Sequence, residues 1–214
     1  MSDQILAQPE LAGVRIDEDS DDLSRSEVIL KGALAAGAVY GAVMVGPFVG
    51  KALAMSESGD VGILNFALTL EYLETAFYED VVKSGLFKGS DLATIRKFGE
   101  EEAEHVTALT GFVKQMGGKP APKPKTEFPL KSAKSVLELA GTVENLGAAA
   151  YLGQAGNIES PEVLASALAI HSVEGRHAAA LNTLLGLPIT PDGAFAKPAT
   201  ATEVLKSVEP FIVS

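Results

Sequence analysis

A chain of 214 residues, 47% of them hydrophobic, is long enough for one compact domain with a sizeable core plus an appendage, and too short for two large domains. Asp+Glu 28 against Lys+Arg 17 gives a net charge of -11, which repels phosphate backbones and anionic lipid surfaces and argues against a nucleic-acid partner. The chain has no cysteine, so disulfides, iron–sulfur clusters, thiolate zinc sites and thiol catalysis are excluded, and any bound metal must be held by oxygen and imidazole.

Residues 1–31 form an acidic leader with the run Asp17 to Asp22, too poor in apolar residues to pack by itself. Residues 32–54 read as an apolar N-terminal helix. Gly32 to Gly50 carries no charge and approaches the ~20 apolar residues of a membrane helix. Ser24-Arg25-Ser26 through Lys31 resembles a twin-arginine export signal, and Ala52-Leu53-Ala54 a cleavage site, although Ser26 stands where the second arginine belongs. Gly37 and Gly41, extended by Ala33, form a small-xxx-small pattern that lets apolar helices approach closely. The segment is thus read as an export signal, a membrane contact through residues 32–50, or an assembly element of a homo-oligomer. The expected place is the cell envelope or outside the cell, with a cytoplasmic assembly as the alternative.

Residues 55–186 carry the helical apolar period in four long stretches, at about 62–84, 91–116, 132–156 and 161–185, with no strand-like alternation. Ser90-Asp91, Ser132 and Ser160-Pro161 supply caps, while Gly117-Gly118 and Gly186 with Pro188 close two of the helices. Short connections join the first two helices and the last two. Between the second and third lies Gly117 to Leu130, with Lys119, Lys123 and Lys125 among its prolines. These lysines lack interleaved aromatics and read as a solvated loop. In polyproline-like geometry the stretch spans roughly 40 Å, and a helix of about 25 residues is roughly 38 Å long. It can therefore run the length of a bundle as a crossover. Residues 187–214 form a tail with a turn at Pro191-Asp192-Gly193 and an amphipathic run, expected to pack on the bundle.

The chain repeats itself once, on its charged core positions. Glu71 precedes Tyr78 by seven residues and Glu144 precedes Tyr151 by seven; Glu102-Ala103-Glu104-His105 is answered by Glu174-Gly175-Arg176-His177. Each half is a helical hairpin with one Glu on its first helix and Glu-x-x-His on its second. Helical phase puts Glu71 with Leu64, Leu68 and Thr75, Glu102 with Phe98, Val106 and Leu109, Glu144 with Leu137, Ala140 and Tyr151, and Glu174 with Ile170, Ala178 and Leu181. Four ionised carboxylates in one apolar core would cost several kcal/mol each without positive partners. Lys and Arg are missing from those stripes. Two divalent cations balance them, and Glu-x-x-His places a carboxylate and an imidazole one turn apart, within reach of one ion.

The metal ligands expected are therefore Glu71, Glu102, His105, Glu144, Glu174 and His177. The competing reading makes these carboxylates helix-surface residues and the histidines core residues. Glu74 flanks the first stripe as a second choice of ligand, whereas Glu100, Glu101 and Glu104 read as surface. His171 has no counterpart, since Gly99 fills its place in the other half, and reads as structural. Tyr78 and Tyr151 are core aromatics or catalytic partners, their hydroxyls placed to bond a ligand carboxylate. Gly147, Ala148, Gly175 and Ala178 are expected to leave room for a small oxidant only.

One Glu from each of two helices plus Glu-x-x-His from the other two resembles the di-iron and di-manganese proteins of the ferritin-like superfamily. The wording Ile63 to Glu74 resembles its desiccation-related branch. The resemblance implies an all-α ferritin-like four-helix bundle with a long crossover between helices 2 and 3, and two iron or manganese ions as cofactors. It further implies a protein that reacts with oxygen or peroxide, ferroxidase-like or catalase-like, in oxidative or desiccation stress. The alternative is a structural or self-assembling protein with the metal as a staple.

Overall fold

The structure, a computed structural model, describes residues 59–213. The acidic leader and the apolar segment 32–54 lie outside the described residues. Among the described residues no helix is long and apolar enough to cross a membrane.

Four helices form the bundle: α1 (Asp60–Ser84), α2 (Gly89–Gln115), α3 (Ala133–Ala155) and α4 (Pro161–Leu184). Each boundary falls within a turn of where the apolar period puts it. The start of α3 is fixed by a capping box between Ser132 and Ser135, and that of α4 by the Ser160 hydroxyl accepting from the Val163 N–H, with Pro161 in the first turn. The expected cap of α2 is not used. That helix begins earlier, after Lys88, with no side-chain cap.

Helices α1 and α2 pack as one hairpin and α3 and α4 as another, the two meeting through α1 with α3 and α2 with α4. Asp60 accepts the backbone N–H groups of Glu159 (2.8 Å) and Ser160 (2.7 Å), which holds the α3–α4 turn against the start of α1. Asn65, near that same end, donates to the Lys119 carbonyl and accepts from the Ala121 N–H. The chain thus leaves α2 at the end where α3 finishes, and must travel the whole bundle before α3 can begin. This is the long crossover expected from the proline-rich stretch.

The crossover is anchored at its far end as well. Phe128 is buried against Phe77 and Phe211. A two-residue ladder, β1 (Lys125–Thr126) with β2 (Ile212–Val213), ties it to the tail. So short a ladder has no alternation, which is why the sequence pattern shows no strand. In the tail, α5 (Ala201–Val208) starts on a capping box between Thr200 and Glu203 and buries Val204, Leu205 and Val208. The tail crosses α3 at Gly153, where a Cβ would sit 1.9 Å from the Ala199 carbonyl oxygen, and the Ala199 N–H donates to Ala149. Only glycine permits so close a crossing.

Two apolar clusters fill the bundle. One contains Leu70, Phe77, Tyr78, Phe98, Val136 and Leu181; the other contains Leu64, Leu68, Leu109, Val113, Tyr151 and Ile170. On each of α1, α2 and α4 the change from one cluster to the other falls around buried acidic or imidazole side chains.

Candidate metal centre

The layer between the clusters contains Glu71 on α1, Glu102 and His105 on α2, Glu144 on α3, and Glu174 and His177 on α4. All four carboxylates are 0% exposed, and the two histidines are buried. The structure brings all six side chains together. Glu71, Glu102, His105 and Glu174 form one group whose ligand atoms lie within 4.8 Å of one another, and Glu102, Glu144, Glu174 and His177 form a second. Glu102 and Glu174, the acids of the two Glu-x-x-His turns, belong to both. Each group offers three carboxylates and one imidazole.

Nδ1 of His105 lies 2.8 Å from Glu102, 3.2 Å from Glu71 and 3.4 Å from Glu174. Nδ1 of His177 lies 2.8 Å from Glu102 and 3.2 Å from Glu144, but neither contact is aligned as a hydrogen bond. Both Glu174 oxygens, Glu102 Oε1 and Glu144 Oε2 are also buried without a hydrogen-bond partner. Buried polar atoms are rarely left so. Orphaned oxygens and an imidazole nitrogen converging on common points are a donor set that fits divalent cations.

The electrostatics without metal agree. Burial, aggravated by neighbouring carboxylates, pushes Glu71 and Glu174 up from the ordinary carboxylate range. Burial opposes charge on the histidines, but the carboxylates outweigh it: Glu102, Glu174 and Glu71 hold His105 up at about 12, and Glu102 and Glu144 hold His177 up at about 11. Without metal these shifts favour protonated side chains in the layer.

The tyrosines cross-link the hairpins. The Tyr78 hydroxyl on α1 donates to Glu144 on α3, and the Tyr151 hydroxyl on α3 donates to Glu71 on α1 at 2.5 Å. Burial raises both phenols well above their ordinary range, Glu144 and Glu71 adding to the effect, so both remain donors.

Residues 59–187 match the ferritin-like domain family. The chain belongs to that family. The match begins just before α1 and ends just after α4, so the ferritin-like domain is the bundle that surrounds the acidic layer. No match was found among curated proteins.

Two residues beside this ferritin-like site lie off the centre of their helical stripes. Glu101, read as a surface residue, accepts the Nε2–H of His177 at 2.8 Å while Lys97 pairs with its other oxygen at 3.1 Å. Burial works to raise Glu101, but the hydrogen bonds from His177 and Lys97 prevail and hold it down. That bond keeps a proton on Nε2, so Nδ1 is the nitrogen that can bind an ion once its own proton has left. Glu74 is 2% exposed, and its Oε2 has no hydrogen-bond partner. The sequence alone marks it only by its place beside the Glu71 stripe.

Three expectations need correction. Gly175 is exposed and opens no space at the site. The space beside Gly147 is taken by the carboxylates of Glu174 and Glu74. Ala148 is only half-buried, and its carbonyl accepts from His171 Nδ1 at 3.0 Å, which also accounts for His171 as a structural residue.

Proposed function

We propose that this ferritin-like protein holds two iron or manganese ions on Glu71, Glu102, His105, Glu144, Glu174 and His177, and reacts with oxygen or a peroxide in protection against oxidative or desiccation stress. The observation that carries this reading is the pair of four-residue groups sharing Glu102 and Glu174, with orphaned ligand atoms in both. Ions so held would supply electrons to a small oxidant or take them from it.

The chain's own residues define what surrounds that chemistry. Glu102 and Glu174 would each contribute to both ions, because each belongs to both groups. His105 and His177 present Nδ1 from the same turn as Glu102 and Glu174, the acids common to both groups, and Glu101 fixes the orientation of His177. Tyr78 and Tyr151 orient Glu144 and Glu71 and keep a proton on each hydroxyl beside the centre. Complete burial of the carboxylates excludes bulk water.

A cavity lined mainly by apolar side chains, among them Ile63, Ala67, Leu70, Ala150, Val163 and Ala167, reaches Tyr151 and has room for a water-sized molecule. An apolar cavity of that size suits a diatomic oxidant better than a large organic substrate. The test is oxygen and peroxide consumption by protein loaded with iron or manganese, against the same metal free in buffer and against the Glu102→Ala variant. Faster consumption by wild type alone is expected. Equal rates in all three would leave the ions a structural role, in which the buried centre staples the two hairpins.

A further inference from the structure

The repeat that matches Glu71 with Glu144 and Tyr78 with Tyr151 also matches Glu74 with Gly147, each three residues beyond the hairpin's first glutamate. A glutamate in one half thus answers a glycine in the other. The two positions meet in space. A Cβ built on Gly147 would lie 2.9 Å from Glu74 Oε1 and 2.7 Å from Glu174 Oε2. The missing side chain on α3 is therefore the gap into which α1 sends Glu74 and α4 sends Glu174, so that the two carboxylates face each other there.

Among the described residues no hydrogen bond accounts for Glu74. Its Oε2 and both oxygens of Glu174 are buried without hydrogen-bond partners, and Glu74 is 2% exposed. Beyond the 3.4 Å approach of His105 Nδ1 to Glu174 Oε1, nothing among the described residues offsets the charge of these two buried carboxylates, and they need a cation or a shared proton between them. Glu174 already belongs to both ligand groups.

We propose that Glu74 is a fifth carboxylate ligand of the centre, reaching an ion that Glu174 also holds, and that Gly147 is the gap that admits it. The inference rests on the di-metal reading above, and adds a ligand outside the six. It also makes the centre asymmetric: the first hairpin gives two carboxylates from its first helix and the second gives one. The surplus acid matches ions of higher charge, since four carboxylates already balance two divalent ions and a fifth suits a centre that carries an additional positive charge. Gly147→Ala would place a methyl group within 3 Å of both acids, and must push one of them away.

The test uses the full-length protein and manganese(II) alone as the probe. Ions per chain and dissociation constants are measured for wild type, Glu74→Gln and Gly147→Ala, with the paramagnetic resonance spectrum of the bound manganese as a second readout. The expected result is that wild type binds two ions and that both variants bind at least one of them about tenfold or more weakly, with an altered spectrum. Unchanged affinity and spectrum in Glu74→Gln would overturn the proposal, leaving the two acids to share a proton. A wild type that binds no manganese would instead overturn the di-metal reading itself. Should the variants fail to fold, a crystal structure of manganese-loaded wild type decides: Glu74 oxygen within about 2.3 Å of an ion supports the proposal, and Glu74 standing clear of both ions overturns it.

Discussion

The two hairpins are alike where they hold the centre and unlike just around it. Glu71, Tyr78, Glu102 and His105 in the first are answered by Glu144, Tyr151, Glu174 and His177 in the second, and the Tyr–Glu bonds cross reciprocally between them. The neighbours differ. Glu74 faces Gly147; Glu101 braces His177, whereas the matching position in the second hairpin is Val173; and only the second hairpin carries the Gly153 crossing of the tail. A twofold frame fixes the six side chains, and single substitutions in one half make its two positions chemically distinct.

The Tyr–Glu cross-links test the symmetric part of this comparison. Tyr78→Phe leaves Glu144 Oε1, and Tyr151→Phe leaves Glu71 Oε1, without its hydroxyl donor, at an expected cost of about 1–3 kcal/mol each in the metal-free protein. Denaturant unfolding should show similar losses from the two variants. A loss from only one would break the symmetry.

Glu101→Gln tests the asymmetric part. It removes the charged acceptor of His177 Nε2–H, and should weaken one ion by about tenfold while leaving the other unchanged, as read by competition with a chelator. Val173→Ala, at the matching position, should change neither. Equal weakening of both ions by Glu101→Gln would mean that the two positions do not titrate separately.

A smaller effect is expected from protons and should fall on both halves. Without metal, the carboxylates hold His105 up at about 12 and His177 up at about 11, so both carry a proton at neutral pH. An ion must displace it, so affinity rises with pH, by about threefold per displaced proton between pH 7.0 and 7.5. Manganese affinity that is flat over that interval would show that no ligand proton is released.

What the sequence makes legible follows from what one helix can encode. The four glutamates and two histidines are readable because a 3.6-residue period sets Glu71, Glu102, Glu144 and Glu174 on apolar stripes, and because the repeat places the same pattern twice. The crossover is readable from prolines and length. Glu74 is readable only as a second choice of ligand and Glu101 not at all, because each lies off the centre of its own stripe and gains its place from another helix: Glu74 from the missing side chain at Gly147, Glu101 from His177. The docking of the tail depends likewise on Gly153 meeting Ala199, a contact between segments far apart in the chain. Gly175 misleads for the converse reason, since a small residue next to Glu174 in sequence points away from the layer.

The most direct test of a shared centre is the number of manganese ions bound per chain by wild type, Glu71→Ala and Glu174→Ala. Glu71 belongs to one ligand group and Glu174 to both. A centre shared in this way binds two ions in wild type, one in Glu71→Ala and none tightly in Glu174→Ala, with all three proteins still helical by circular dichroism. Two ions retained by Glu174→Ala, in a folded protein, would contradict it.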